Sequence, residues 1–293
     1  MIRKQATIPN AYPPPAETPP GLIALRRQVA LLEKLPQAGF EGAGLAGRPR
    51  LTWGLAAIDQ HLPSHGLMLG ALHEFAGEGQ DLEEGALPAA AIARLIGRLH
   101  RQGGDGSVLW IGRQRDLYAR ALPHEGLDPD RLLHLQVRRN ADALWAIEEA
   151  LRCTSLSAVV GEVAALNLTQ SRRLQLAAEK SGVPALLIRR AARASDLKNL
   201  VRQPIAAVTR WRIRPAPSAG VQAPPHPILP GRARWRLDLW RCRGGRPADW
   251  FIEEHDDGWR EATLLQHIPA PLGDRLLAPP AEADDVGYKR AAG

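Results

Sequence analysis

Between residues 88 and 189 the chain alternates segments of two different hydrophobic periods, and this restricts the available folds more than any other feature. SVLWIG (107–112), LLHLQV (132–137), LSAVVG (156–161) and VPALLIR (183–189) are short apolar runs of the kind that forms buried strands. Around them, PAAAIARLIGRLH puts Ile92, Leu95, Ile96 and Leu99 on one helical face, and ADALWAIEEALRC aligns Leu144, Ile147, Glu148 and Leu151. TQSRRLQLAAEKSG reads as a helix that opens at a Thr169 N-cap and closes at Gly182. Strands joined through helices pair in parallel, so the expected class is α/β: a mostly parallel sheet with helices on both faces.

After residue 204 the pattern changes. IAAVTRWRIRP, ARWRLDLWRCR and ADWFIEEHDDG lack helical periodicity, and in the second Trp235, Leu237 and Leu239 alternate with Arg234, Arg236 and Asp238. These are expected to be antiparallel strands extending the same sheet, with Trp235, Leu237 and Leu239 inward and Trp240 and the arginines outward. The implied organisation is a Pro-rich N-terminus (1–20), an amphipathic helix carrying Leu22, Leu25, Val29 and Leu32 with its Gly-rich connector (21–50), one α/β domain (51–262) and a polar tail (263–293).

Of 38 basic residues 33 are arginine, and the net charge is +7, which suits nucleic acid or an acidic protein as partner. GC-rich coding is the competing source of such arginine. Cys153 and Cys242 stand in unrelated contexts and are expected to be buried packers in a reducing compartment. With no apolar run long enough to span a bilayer and no export signal at the N-terminus, a cytoplasmic location is expected.

The stretch HEFAGEGQDLEEGALPAAAIARLIG has the layout of a phosphate loop, an extended run passing through Gly77 and Gly79 into a helix. A functional loop reads G-x-x-x-x-G-K-[ST], yet counting from Gly77 those last three positions hold Leu82, Glu83 and Glu84. A carboxylate about 5 Å from a phosphate oxygen costs roughly 3 kcal/mol at an effective dielectric of 20, so with Glu78 and Asp81 also inside it this loop is expected to exclude a triphosphate unless a cation intervenes. An ordinary acidic turn before a helix is the competing reading. The histidines suggest no metal site: Pro63 interrupts His61 and His65, and His73-Glu74 lacks a second histidine.

The surrounding segments give the loop a context. RLTWGLAAIDQHLPSHGLMLGALHEFAG resembles the lead-in to the nucleotide loop of RecA-type proteins, with Gly54 to Asp59, Gly66-Leu67 and Gly70 at the family's marker positions. VLWIGRQRDLYARALPHEGLDPDRLLHLQ resembles the segment carrying the catalytic Glu, and LSAVVGEVAALN the strand carrying the magnesium-associated Asp. Gln114 stands where the Glu is expected, and Gly161, followed by Glu162, where the Asp is expected. A RecA-like layout with an eroded nucleotide site, a leading helix and a basic, Trp-rich C-terminal third resembles the ImuA family over roughly residues 45 to 260.

That resemblance implies a RecA-like fold and a non-enzymatic accessory role in SOS-type, DNA-damage-induced mutagenesis and translesion synthesis, with no cofactor and no metal. The implied partners are an ImuB-like inactive relative of Y-family polymerases, an error-prone DNA polymerase and RecA. DNA is a further one, with modest and salt-dependent affinity. Candidate contacts are Arg189, Arg190, Arg193, Lys198 and Arg202 in the loop after the fourth parallel strand, and Arg212, Trp240, Arg241 and Arg243 in the C-terminal strands. A chain unable to hold nucleotide between subunits is expected to be monomeric or paired with a different chain. Two rival readings stand: a divergent RecA-like ATPase recruiting metal through Glu83, Glu84 or Glu162, and a SulA-like division inhibitor.

Overall fold

A computed structural model describes residues 50–77, 86–190, 203–219, 231–255 and 258–262. The N-terminal helix expected at 21–36 and the tail at 263–293 lie outside the described residues. In chain order the elements are α1 (Ala56–Asp59), β1 (Leu72–Ala76), α2 (Ala86–Arg101), β2 (Ser107–Gly112), two 3-10 segments (Ala119–Glu125 and Pro129–Arg131), β3 (Leu132–Gln136), α3 (Asn140–Ala150), β4 (Leu156–Val163), α4 (Leu168–Ser181), β5 (Ala185–Arg189), β6 (Thr209–Ala219), β7 (Arg232–Cys242), β8 (Ala248–His255) and β9 (Gly258–Ala262).

The strands form one nine-stranded sheet in the order β3-β2-β4-β5-β1-β6-β7-β8-β9. Every pairing from β3 across to β6 is parallel, and β6 to β9 pair antiparallel. The expected α/β class holds, and the arginine-rich strands do continue the same sheet.

Side-chain alternation divides the core into two layers. On one face Ala158 and Val160 of β4 and Leu186 and Ile188 of β5 pack with Ile92, Leu95, Ile96 and Leu99 of α2. The segment before β1 joins this layer through Leu51, Trp53, Ile58, Leu62 and Leu67. On the other face Val159, Val163 and Leu187 pack with Leu144, Ile147 and Leu151 of the α3 region and Leu174 and Ala178 of α4.

Three local expectations need correction. β3 is an edge strand, exposed from Leu133 to Gln136, because among the described residues it has a neighbour on one side alone. Helix α4 is capped by Asn167 rather than Thr169: the Asn167 side chain accepts from Gln170 N–H at 2.8 Å while Gln170 reciprocates at 3.0 Å, a capping box that places Thr169 inside the helix. Cys242 is buried but Cys153 is exposed, since the turn after α3 carries it beyond the packed layer. No described helix is long and apolar enough to cross a membrane.

Candidate functional site

Ligands of open α/β sheets gather beyond the carboxyl ends of the parallel strands. Here that edge is formed by the ends of β1, β2, β4 and β5 at Ala76, Gly112, Val163 and Arg189. Gly77 follows β1 directly, whereas Gly79, Leu82, Glu83 and Glu84 lie outside the described residues.

The lead-in to β1 has a structural reason for its motif. Gly54 adopts φ 73°, and a Cβ there would lie 2.0 Å from Arg98 Cζ. The Asp59 carboxylate accepts from the N–H groups of Trp53 and Gly54, both at 2.8 Å. Burial pushes the Asp59 carboxyl up, and these N–H groups and Arg98 oppose it. The closed turn seats Trp53 against Trp211 at 5.3 Å between ring centroids.

Next along β1, His73 is fully buried, with Nε2 2.8 Å from Met68 O and Nδ1 2.8 Å from Thr209 Oγ1. A carbonyl only accepts, so Nε2 carries the proton and Nδ1 accepts from the Thr209 hydroxyl. Trp211 Nε1 then donates to Thr209 Oγ1 at 2.9 Å. This chain is complete with a neutral imidazole, and burial lowers the His73 pKa to about 4. It is a packed core histidine.

Glu162, one residue before the end of β4, has a side chain only 2% exposed, and its carboxylate is already occupied. Oε2 accepts from Arg113 N–H at 2.9 Å, and Oε1 lies 2.7 Å from Arg190 Nη2. The same guanidinium reaches Asp116 Oδ2 at 2.9 Å through Nη1. Arg190 therefore sits between two carboxylates contributed by different strand ends, in the position a bridging cation would need. Gln114 lies on the exposed turn after β2, between Arg113 and Asp116 in the chain.

Gly161 faces the opposite way. A Cβ there would lie 2.2 Å from Ile147 Cδ1 of α3, so any side chain at this position has to displace Ile147. An acid at Gly161 would point into the α3 layer, away from Glu162. The close approach of helix to sheet selects glycine here.

Arg189, read from sequence as a solvent-facing contact, is buried instead, and Arg190 is engaged by the ion pairs above. Arg189 Nη1 lies 3.5 Å from Glu74 Oε1, and its Nη2 donates to Ala164 O at 3.3 Å and Gln203 Oε1 at 3.2 Å. Glu74 also binds Arg210, with Nε 2.5 Å from Oε2. The reason is register: β1 lies between β5 and β6, so Glu74 is flanked by cations from both. Arg193, Lys198 and Arg202 lie outside the described residues. Sequence reasoning missed Glu74, Asp116 and Arg113. A glutamate inside the apolar run LHEFA was the available signal for the first; nothing in the local pattern marks the other two.

No protein-family model matches the chain. Protein ImuA of Caulobacter vibrioides, found in two strains, is 40% identical over 240 residues, covering 80% of this chain and 92% of that protein. The chain belongs to the ImuA family. Cell division inhibitor SulA of Photorhabdus laumondii subsp. laumondii is 29% identical over 102 residues, 34% of this chain and 58% of that protein.

In this ImuA-family chain the C-terminal tryptophans are mostly core. Trp211, Trp235, Trp250 and Trp259 are buried, and the Trp235 and Trp259 rings pack at 4.3 Å between centroids. Leu237 and Leu239 are buried as expected. Trp240 is half-buried under the Arg212 guanidinium, 5.1 Å from the ring centroid. Arg212 also pairs with Asp238 at 2.8 Å, a carboxylate shared with Arg214 and Arg236. Arg241 donates to Ile205 O and Arg243 to Ala206 O, each at 3.1 Å. The face opposite the tryptophan core is thus an arginine–carboxylate ladder, with Arg241 and Arg243 tied to the chain that enters β6. Among the described residues no cluster of His, Cys, Asp or Glu suits a metal ion.

Proposed function

We propose that this ImuA-family chain is a non-catalytic accessory protein of DNA-damage-induced mutagenesis. It uses a RecA-like sheet as a scaffold for an inactive, Y-family-polymerase-like partner in translesion synthesis. The observation that carries the reading is the arginine clamp at the strand ends, in which Glu162 and Asp116 are both bound by Arg190. A divalent cation at Glu162 has to displace a guanidinium whose side chain is only 8% exposed. With no lysine at position 83 in the sequence to hold phosphate, neither charge of a metal–triphosphate complex has a counter-charge waiting. The scaffold role extends to an error-prone DNA polymerase and RecA, with DNA held only modestly through the arginine-rich strands.

Calorimetric titration with magnesium–ATP, together with co-purification with the polymerase-like subunit, tests the proposal. The expected result is no heat of nucleotide binding at submillimolar concentration and a stable complex with the partner. Measurable ATP hydrolysis, or loss of damage-induced mutagenesis only in nucleotide-site variants, overturns it in favour of the divergent ATPase. The partial likeness to SulA motivates a division-inhibitor reading, which predicts filamentation on overexpression in cells lacking the polymerase-like partner.

A further inference from the structure

The two outer strands of the sheet are finished differently. β9 carries Arg260 and Glu261 exposed on its edge, charges of the kind that discourage edge pairing. β3, with the sequence LLHLQ, has no such protection among the described residues: Leu133 is 53% and Leu135 40% exposed. Val137 N–H donates to Gly112 O at 2.9 Å, which sets the alternation of the strand. The main-chain groups of Leu133 and Leu135 therefore face β2, while those of Leu132, His134 and Gln136 face outward. Leu133 and Leu135 stand beside Leu109 and Ile111, residues of the layer covered by α3.

The charges along this edge are separated by sign. At its amino end Asp128 and Asp130 are exposed with no ion pair among the described residues; the Asp128 carboxylate caps Asp130 N–H at 2.9 Å, and the neighbouring Arg131 turns its guanidinium inward to Gly104 O at 3.4 Å, leaving this end net acidic. At its carboxyl end Arg115 and Arg138 are exposed and have no carboxylate partner among the described residues, Arg115 reaching only Gln136 Oε1 at 2.9 Å. An edge that is acidic at one end and basic at the other complements itself when a second copy is turned through a two-fold axis.

We propose that two copies of this chain pair antiparallel through β3 about a two-fold axis at His134, extending one sheet into the other. In this register the main chain of His134 pairs with that of its copy, and Leu132 pairs with Gln136. Leu133 then meets the copy's Leu135 on the α3 face, and Arg138 meets the copy's Asp130 at each end. Both copies carry a net charge of +7, but at physiological salt that repulsion is screened beyond about 8 Å, whereas the paired ends are in contact. The inference stands apart from the proposed function. Loss of nucleotide removes a head-to-tail joint between subunits, and a two-fold edge pair does not use one.

Light scattering of the full chain across a concentration series is expected to give twice the 31.9 kDa of one chain. Leu135→Asp, a change at an exposed position, is expected to give the single-chain mass with an unchanged circular dichroism spectrum. Arg138→Glu alone is expected to raise the dissociation constant about tenfold, and the swap Asp130→Arg with Arg138→Glu to restore it. His134→Cys in a Cys153→Ser background is expected to form a disulfide-linked dimer on mild oxidation, because hydrogen-bonded antiparallel partners have Cα atoms about 5.5 Å apart. A single-chain mass at every concentration overturns the proposal, including the case where β3 pairs with a strand of another protein. So does a dimer that survives Leu135→Asp or that the charge swap fails to rescue.

Discussion

Removing the Arg190 guanidinium tests whether the carboxyl edge of the sheet is held by charge. The Glu162 side chain is 2% exposed and that of Arg190 8%, so Arg190→Ala leaves a carboxylate in the interior with only the Arg113 N–H to stabilise it. Breaking a buried pair from one side costs about 3–5 kcal/mol. Asp116 is 43% exposed and regains water, so the loss falls on the Glu162 half and the expected cost is near the lower end, about 3 kcal/mol. Glu162→Gln keeps the shape and leaves Arg190 its Asp116 partner; about 1–2 kcal/mol is expected. The double change Arg190→Met with Glu162→Leu removes both charges, and its cost should fall short of the sum of the corresponding singles by about 2 kcal/mol. Urea denaturation at pH 7 measures each value, with the slope checked for constancy. A cost below about 1 kcal/mol for Arg190→Ala, or strict additivity in the cycle, would refute the clamp. Titrating Arg190→Ala with magnesium–ATP adds a second readout. Binding that emerges only in this variant would show that the guanidinium, rather than the missing lysine, closes the site.

Three further outcomes are expected. Gly161→Ala brings a Cβ to 2.2 Å from Ile147 Cδ1 and is expected to cost about 1–3 kcal/mol by urea denaturation, with Gly161→Asp costing more and Ile147→Ala relieving part of the Gly161→Ala loss. His73 binds a proton more weakly folded than unfolded, so its contribution to stability falls as pH drops from 6.5 towards about 4. The fall amounts to about 3 kcal/mol at most, and a His73→Gln variant should lose that part of the pH slope in urea midpoints measured at pH 7, 5 and 4. Iodoacetamide on the native protein should modify exposed Cys153, whose pKa is lowered by its Ser155 contact, and spare Cys242, whose thiol burial pushes up to about 11; peptide mass spectrometry reads the difference.

The family likeness and the layered class share a cause: both rest on local pattern. The period of PAAAIARLIGRLH and the apolar runs of β4 and β5 are properties of neighbouring residues, and burial on both faces demands such runs wherever they lie in the sheet. The alternation in WRLDLW likewise assigned Trp235, Leu237 and Leu239 to the core. Local pattern misread LLHLQV, because an edge strand and a central strand can share a composition and differ only in their number of neighbours.

What tertiary structure decided is which charges meet. Glu74 and Arg210 are 136 residues apart in the chain and touch because β1 is inserted between β5 and β6. Arg190, Glu162 and Asp116 converge because three strands end at the same edge. Gly161 reads in sequence as a lost acid, and only the approach of Ile147 shows that a side chain there has to push into the α3 layer. Sequence determined the elements and their order, since propensity and periodicity act over a few residues. Sheet order and register determined the partners of Arg189 and Arg190, since Coulomb energies depend on distances that folding alone sets.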